Sequence, residues 1–309
     1  MNLKFLSFTK ENYFYQISND WLEYKKPNIK LSTYSRYSFI LKHYILPEYG
    51  NLSIRNLKKI NYNQILQKHK CLSVSTANQI LSILKSILAY SNKKYGTNIN
   101  ISLISNLKSN KNKEMKVFNN NEIELLKNYC LNDTANKSLG ILLSISCGLR
   151  IGEISALKWK NIDFKNNKIY IENTLERIQL NNHTKVILSS PKSNNSIRKI
   201  PMNKILKNKL LSIYEINKPS LNAYVLTNKE DSFIEPRCLT NRYKKVLKEL
   251  NLPNYKFHIL RHTFATKCVQ INMDPKLLSL LLGHSNVNIT LNTYVHPSID
   301  EALIYLDRI

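Results

Sequence analysis

The sequence predicts a mainly α-helical protein with a small antiparallel β-sheet, an α+β chain that divides into a helical N-terminal domain and a mixed C-terminal domain. The length of 309 residues exceeds what one ordinary hydrophobic core organises, which indicates two domains. Apolar residues recur at helical spacing over most of the chain, and only six residues are glycine. The β-type runs are short and fall within residues 162–200, so the sheet is a minor part of the second domain.

The first hundred residues are predicted to form a bundle of about four amphipathic helices. Apolar positions follow the helical period over residues 14–21, 34–44 and 77–88. The predicted boundary signals are Ser32 or Thr33 and Ser73 or Ser75 as N-caps, Pro47 and Gly50 at the end of the second helix, and Gly96 after two lysines at the end of the long one.

A linker is predicted where this pattern stops. Residues 101–116, ISLISNLKSNKNKEMK, are polar and rich in lysine and lack apolar periodicity. We place the helical domain at residues 1–105, the linker at 106–116 and the mixed domain at 117–309.

The mixed domain begins with helices, continues through short strands and returns to helices. Residues 162–164 and 168–171 flank a Lys-Asn-Asn turn, and residues 185–188 and 197–200 flank the segment SSPKSNNS, which predicts a small antiparallel sheet. Helices resume at Asn203, and one of them is expected to open at Asp274 and Pro275 and to end at Gly283. The sequence contains no internal repeat.

The charge indicates a polyanionic partner. A formal net charge of +25 and a pI of about 9.7 concentrate polyanions around the chain, so nucleic acid is the first expectation. A generic solubilising charge, a ribosome-type protein and a binder of anionic membranes are the alternatives that composition leaves open. The basic and hydroxyl residues expected to meet phosphates are Lys25, Lys26, Lys30, Ser32, Thr33 and Arg36, although a merely solvated face fits them equally.

The chain is expected in the cytoplasm. No apolar run approaches the length of a membrane span, and the first residues lack the apolar stretch and cleavage site of a secretory signal. The five cysteines are scattered without a CxxC pair, which is typical of reduced, buried thiols.

Two short motifs place charged side chains at helix starts. In CGLRIGEISALKW, Arg150 lies at a sharp junction between two helices with Glu153 one turn later, and the alternative is an ordinary surface ion pair. In HILRHTF, His258 and Arg261 share a helical face as potential phosphate donors. The spacing of His258 and His262 would suit zinc, but a zincin motif needs a glutamate where Ile259 stands, so no metal role is expected and a capping or core histidine is the alternative.

Three further residues gain significance only as part of a set. Lys192 is predicted at the tip of a β-hairpin, where lysine is usually just solvated. His284 follows a glycine, and Tyr294 lies in an apolar helical run, where tyrosine more often belongs to the core.

Together these residues resemble the signature of the tyrosine site-specific recombinases, the phage integrase family. The segments GLRIGEISAL, PKSNNSIRKIP, HILRHTFAT and LGHSNVNITLNTYVHP carry that signature in the family's order, and its members here are Arg150, Lys192, His258, Arg261, His284 and Tyr294. The match covers residues 115–297. The segments STYSRYSFILKHYILPEYG and STANQILSILKSILAYS resemble the family's SAM-like core-binding domain. Ile259 stands where the family often has aspartate, and the short N-terminal segment leads us to expect no arm-binding domain.

The resemblance implies an enzyme that cuts and rejoins double-stranded DNA without a cofactor, metal ion or ATP. Two arginines would stabilise the charge that develops on the phosphate. Ionising a free tyrosine at pH 7 costs about 4 kcal/mol, so Tyr294 needs help as a nucleophile. In the family, His258 would handle the proton of the nucleophile, Lys192 would be the acid that protonates the departing 5' oxygen, and His284 would donate to the phosphate. Glu153 would orient Arg150 and the histidine.

The resemblance also implies a 3'-phosphotyrosyl intermediate, a Holliday junction and a homo-tetramer on two DNA sites, with accessory DNA-bending proteins as further partners. The last segment, SIDEALIYLDRI, resembles the tail helix that packs onto a neighbouring subunit in the family. Integration or excision of a mobile element is the expected process. Xer-like resolution of chromosome or plasmid dimers is the alternative within the family. A DNA-binding protein without catalysis and a metal-dependent nuclease are alternatives from other classes, and the second lacks a carboxylate cluster in the sequence.

Overall fold

The structure is a computed structural model that describes residues 13–54, 56–60, 62, 65, 71–108, 116–180, 183–189 and 197–295. Its contacts divide the chain into two compact units. The first contains residues 1–113 and 178–185, and the second contains residues 114–177 and 186–309. The sequence-based division placed residues 178–185 in the second domain, whereas in the structure they group with the first unit.

The first unit is helical. Its α-helices are α1 (Phe14–Lys25), α2 (Leu31–Ile40), α3 (Leu46–Tyr49) and α4 (Val74–Tyr95), with a π-helical turn at Leu41–Ile45 and 3-10 turns at Lys26–Asn28, Asn56–Lys59 and Ile101–Leu103. Apolar faces of α1, α2 and α4 close on a core that includes Phe14, Ile17, Trp21, Ile80, Leu84 and Ile87. The Trp21 indole donates to the Ser86 hydroxyl at 3.0 Å, so the buried ring keeps a partner for its N–H.

The long helix α4 ends where the sequence predicted. The Ser73 hydroxyl accepts a hydrogen bond from the Thr76 N–H, which makes Ser73 the N-cap and excludes Ser75. Gly96 closes the helix with a φ of 62°, a left-handed conformation that glycine adopts without strain.

The predicted start of the second helix was wrong, and of its two predicted end signals only Gly50 is confirmed. The 3-10 turn at Lys26–Asn28 leads into α2 before Ser32 and Thr33 are reached. Lys30 is therefore at the N-cap, and the two hydroxyl residues lie inside the first turn. Pro47 does not stop the helix. The π-helical turn before it shifts the hydrogen bonding, with the Leu46 N–H donating to Leu41, and helical structure continues to Tyr49 before Gly50.

The second unit packs helices around a small sheet. Its helices are α5 (Asn120–Asn132), α6 (Leu139–Cys147), α7 (Ile151–Ala156), α8 (Lys204–Asn217), α9 (Pro236–Glu249), α10 (His258–Gln270), α11 (Pro275–Leu282) and α12 (Val287–Tyr294). Strands β1 (Ile162–Asp163), β2 (Lys168–Ile171) and β5 (Arg198–Pro201) form an antiparallel sheet in the order β1-β2-β5. Strands β3 (Thr174–Leu180) and β4 (His183–Ser189) pair separately.

The turn between β1 and β2 is confirmed, with Ile162 opposite Ile169, but the second predicted pairing was wrong. Strand β5 pairs with β2, placing Ile200 opposite Ile169, and β4 pairs with β3. Strand pairing depends on distant partners, and the sequence expectation had joined neighbouring runs instead. Lys192, predicted at the tip of that hairpin, lies outside the described residues.

The remaining helix signals of the second unit are confirmed. Asp274 caps α11 by accepting the Leu277 N–H at 2.8 Å, and Gly283 ends the helix with a φ of 64°. Three cysteines are buried, as expected, whereas Cys71 and Cys238 are exposed, which corrects the expectation for those two. None of the helices in the described part of the chain has the length and apolar character needed to span a membrane.

Candidate active site

Arg150 is fixed at the junction between α6 and α7. Gly148 ends α6 with a φ of 63°, which lets the chain turn sharply, and Arg150 is the N-cap residue of α7. Its main-chain N–H and its Nη1 donate to the Glu153 carboxylate at 3.0 and 2.8 Å, and its Nη2 donates to the Gly283 carbonyl at 3.1 Å. Glu153 is only 3% exposed, so the alternative of an ordinary surface ion pair is excluded.

Arg198 is a second partner of Glu153 that the sequence reading missed. Its Nη1 and Nη2 donate to the two Glu153 carboxylate oxygens at 2.9 Å each, and its Nε donates to the Leu281 carbonyl at 2.6 Å. Burial alone would raise the pKa of Glu153, but the hydrogen bonds and charges of Arg198 and Arg150 outweigh it and lower the pKa to about 2. The available signal was strand alternation, since Arg198 shares the buried face of β5 with Ile200.

Arg261 is held by main-chain carbonyls. Its side chain rises from the first turn of α10 and is almost completely buried, and its Nη1 and Nη2 donate to Gly148 at 2.9 Å and to Leu282 at 2.7 Å. Burial and the nearby charge of Arg150 lower the pKa of Arg261 to about 9, which still leaves the guanidinium a cation at pH 7. Because a guanidinium has five N–H donors, three of them are not used in these two bonds.

His284 follows Gly283 directly, at the end of α11. Its Nδ1 lies 2.8 Å from the Thr290 hydroxyl, which orients the ring. Burial and the charges of Arg261, Arg150 and Arg198 lower the pKa of His284 to about 4, so the ring is neutral at pH 7. A neutral ring with one N–H can donate to an anionic oxygen.

Tyr294 ends α12 with its ring against the core formed by α10 and α11. It is 7% exposed, and its hydroxyl lies 2.8 Å from Nδ1 of His262. Burial raises the pKa of Tyr294 above its ordinary value, and the charges of Arg261 and Arg150 offset only part of that rise. His262 had been considered only as a metal ligand, so this contact was missed, although its position directly after Arg261 placed it close to the site.

His258 lies at the start of α10 with its side chain exposed. Its ring meets the His262 ring edge to face, with centroids 4.5 Å apart. Partial burial and the charges of His262, Arg261 and Arg150 lower the pKa of His258. Among the described residues no group of three or more His, Cys, Asp or Glu side chains is arranged to hold a metal ion.

The structure therefore brings together most of the predicted site. Arg150, Glu153, His258, Arg261, His284 and Tyr294 all belong to the second unit. The residues predicted to meet DNA phosphates lie in the first unit, along the end of α1 and the start of α2. Of these, Lys26 also pairs with Glu23 at 3.1 Å, and Arg36 donates to Gln79.

Such a site is suited to substitution at a phosphodiester. Guanidiniums fixed before the reaction stabilise the negative charge that develops on the phosphate oxygens, and they need no reorganisation to do so. A phenol lies within reach of those charges and of a neutral imidazole. A helical domain followed by an α+β domain with this site defines the class of the tyrosine recombinases, which are DNA strand-exchange enzymes.

Comparison with known proteins gives the family itself. Residues 116–301 match the phage integrase family, and residues 13–70 match the phage integrase N-terminal SAM-like domain. The chain belongs to the phage integrase family.

Three relatives show how far the similarity extends. A protein of Caldanaerobacter subterraneus subsp. tengcongensis named tyrosine recombinase XerC-like is 30% identical over 91% of this chain and 78% of its own length. The integrase of Staphylococcus phage L54a is 26% identical over 96% of this chain and 92% of its own length. The structure of the Tn1549 transposon integrase in complex with transposon right end DNA shares the fold, with a TM-score of 0.78 and 21% identity over 96% of this chain and 99% of that one.

Proposed function

We propose that this recombinase cuts and rejoins double-stranded DNA through a 3'-phosphotyrosyl intermediate, in the integration or excision of a mobile element. The observation that carries the proposal is the position of Tyr294, whose hydroxyl lies 2.8 Å from Nδ1 of His262 and whose pKa, raised by burial, is partly lowered again by the charges of Arg261 and Arg150. The similarity to the integrase of phage L54a over nearly the whole chain supports the mobile-element role.

In this proposal Arg150 and Arg261 bind the non-bridging oxygens of the scissile phosphate. Both guanidiniums already donate to main-chain carbonyls, which fixes their direction, and each has N–H groups left for the phosphate. His284, neutral and oriented by Thr290, donates to the same phosphate. Glu153 orients Arg150 and does not act as a nucleophile, because both of its oxygens are engaged by arginines.

The phenol of Tyr294 attacks phosphorus and displaces the 5' oxygen. Lys192 protonates that oxygen, and His258 handles the proton of the nucleophile, the role that the family resemblance implies. Because the phosphotyrosyl bond keeps the energy of the phosphodiester, the strand can rejoin to a new partner without ATP. The reaction uses neither a cofactor nor a metal ion.

We further propose that four copies act on two duplexes through a Holliday junction, with a tail helix after Tyr294 linking neighbouring subunits and DNA-bending proteins assisting. Residues 1–105 then form the core-binding domain, 106–116 the linker and 117–309 the catalytic domain. The first domain contacts DNA phosphates through Lys25, Lys26, Lys30, Ser32, Thr33 and Arg36. The DNA substrate places the enzyme in the cytoplasm with the nucleoid.

Xer-like resolution of chromosome or plasmid dimers is the second candidate, favoured by the XerC-like relative at 30% identity. The two candidates differ in the DNA that surrounds the gene. Ends of a mobile element that recombine with each other support integration or excision. Recombination confined to a chromosomal or plasmid site outside any element supports dimer resolution.

The chemistry can be tested before the natural site is known. Tyr294→Phe protein, which cannot form the covalent bond, selects binding sites from a randomised duplex pool, and the selected duplexes are then made with a nick that traps the intermediate. Wild type and Tyr214→Phe, which removes another phenol of the second unit, should form a denaturant-resistant protein–DNA adduct. Tyr294→Phe should form none. Equal trapping by wild type and Tyr294→Phe would overturn the assignment.

A further inference from the structure

The hydroxyl of Tyr294 makes its hydrogen bond with a histidine outside the six-residue signature. Nδ1 of His262 lies 2.8 Å from the phenolic oxygen, and the two rings are tilted by 51° with centroids 5.6 Å apart. His262 follows Arg261 on α10, whereas Tyr294 ends α12. His258, to which the family resemblance gives the proton-handling role, contacts the His262 ring edge to face and is itself exposed.

The surroundings of His262 keep its ring neutral. Burial and the charge of Arg261 lower the pKa of His262 below its ordinary value of 6.5. A neutral imidazole has one N–H and one acceptor nitrogen, and a tyrosine hydroxyl that donates to Nδ1 places the N–H on Nε2. In that tautomer His262 presents its acceptor nitrogen to the reacting oxygen.

The charged groups around this pair favour loss of the phenolic proton. Burial leaves the pKa of Tyr294 above its ordinary value, and two cations reduce that rise: Arg261, on the same helix as His262, and Arg150, at the start of α7. The nucleophile therefore still needs a proton acceptor. His258 is the remaining titratable group whose ring contacts His262, and its own pKa is lowered. A phenolate formed at residue 294 would thus face two guanidiniums, while the proton would have an acceptor within hydrogen-bond distance.

We propose that His262 is a catalytic residue that accepts the phenolic proton of Tyr294 during strand cleavage. The O–H bond of Tyr294 breaks and its proton moves to Nδ1 of His262, while the oxygen forms a bond to phosphorus. The bond from phosphorus to the 5' oxygen breaks, and that oxygen leaves with the electron pair and takes a proton from Lys192 or from solvent. Rejoining reverses these transfers, with protonated His262 returning its proton to Tyr294.

This proposal rests on the proposed function, because it requires a cleavage step. It also revises the role that the family resemblance implies for His258. The phenolic oxygen contacts His262, which takes its proton directly, whereas His258 contacts the ring of His262. A purely structural role for the hydrogen bond would hold the tyrosine ring in place without taking its proton, and the experiment must separate these two roles.

The decisive test combines a histidine variant with a more acidic nucleophile. His262→Asn keeps a polar group near the phenol but cannot accept its proton, and it should slow single-turnover adduct formation on the selected nicked duplexes by roughly 10²- to 10⁴-fold, the usual size of a general-base effect. Replacing Tyr294 in the His262→Asn variant with a ring-fluorinated tyrosine, whose phenol ionises more readily, should raise the rate of adduct formation at least about tenfold. A side chain that only positions the ring would give no such recovery.

Two matched variants complete the comparison. His258→Asn should be slowed without a comparable recovery by the fluorinated tyrosine, and His183→Asn, on the exposed strand β4, should leave the rate unchanged. The proposal would be overturned if His262→Asn formed the adduct at a rate within about threefold of wild type. It would also be overturned if the fluorinated tyrosine raised the rate of His258→Asn and not that of His262→Asn. If wild type itself forms no adduct, the proposed function has failed, which is a different result.

Folding of the variant is checked separately, and His262→Gln is the second variant if His262→Asn does not fold. One measurement needs no variant at this position. The ¹⁵N spectrum of histidine-labelled wild type at pH 7 should show His262 with an unprotonated Nδ1, and the signal should move in Tyr294→Phe, where the hydroxyl is missing. A protonated Nδ1 at His262 would overturn the proposal.

Discussion

Glu153→Gln should destabilise the second unit by about 3 kcal/mol at pH 7. The carboxylate has a pKa of about 2 in place of its ordinary 4.5, and each pKa unit corresponds to about 1.4 kcal/mol. The same magnitude follows from breaking a buried ion pair by removing one partner, which typically costs about 3 to 5 kcal/mol. The amide would leave Arg198 facing a neutral group while Arg198 stays buried.

The pH dependence of this difference follows from the sign of the shift. A folded-state pKa below the unfolded value stabilises the protein fully above about pH 5, and the contribution is lost as the pH falls through 4.5 toward 2. The difference in unfolding free energy between wild type and Glu153→Gln should therefore be constant near neutral pH and fall to about 2 kcal/mol at about pH 3.5.

Tryptophan fluorescence can follow the urea unfolding of the second unit alone. The chain has two tryptophans, so a Trp21→Phe background leaves Trp159, buried in the core of the second unit, as the single reporter. The control is Glu124→Gln, which breaks the exposed pair with Lys127 and should cost less than about 0.5 kcal/mol. If Glu153→Gln costs no more than Glu124→Gln at pH 7, the reasoning about the buried pair is wrong.

Three further outcomes are expected. Gly283→Ala should destabilise its unit more than Gly96→Ala does. Both glycines have a positive φ, which costs an alanine about 1 kcal/mol, but of the two only Gly283 has a side chain near the new methyl group, with Cδ of Arg198 at 3.0 Å. Equal losses of unfolding free energy in urea would contradict this. Ser73→Ala should cost about 1 kcal/mol and Ser75→Ala less than about 0.5, and the reverse order would contradict the observed cap. Retention of selected duplexes on immobilised protein should fall steeply as salt rises, and salt-independent retention would contradict binding through phosphates.

Local signals in the sequence predicted most of the fold. Helical periodicity located the helices, and short-range chemistry located ends such as Ser73, Gly96 and Asp274, because a cap depends on residues within one turn. Pro47 misled because its effect depends on the hydrogen bonding of the preceding turn. The partner of β5 could not be read from neighbouring residues, because strand pairing is set by packing between distant segments.

The site shows the same division. The signature residues stand in recognisable motifs, so their grouping could be expected before any coordinates were known. Arg198 and His262 stand inside two of those motifs, but their importance comes from contacts with Glu153 and Tyr294, which are 45 and 32 positions away. Only the folded chain shows that one arginine holds a carboxylate and that one histidine meets the phenol.

The use of main-chain oxygens to hold Arg150 and Arg261 has an evolutionary consequence. Every residue type supplies a carbonyl, so mutations at positions 148, 282 and 283 that preserve the path of the chain also preserve these acceptors. Selection therefore acts there on backbone shape, which at Gly148 and Gly283 favours glycine because their φ is positive. A lineage built this way can exchange many of the surrounding amino acids and still keep both guanidiniums pointed in the same direction.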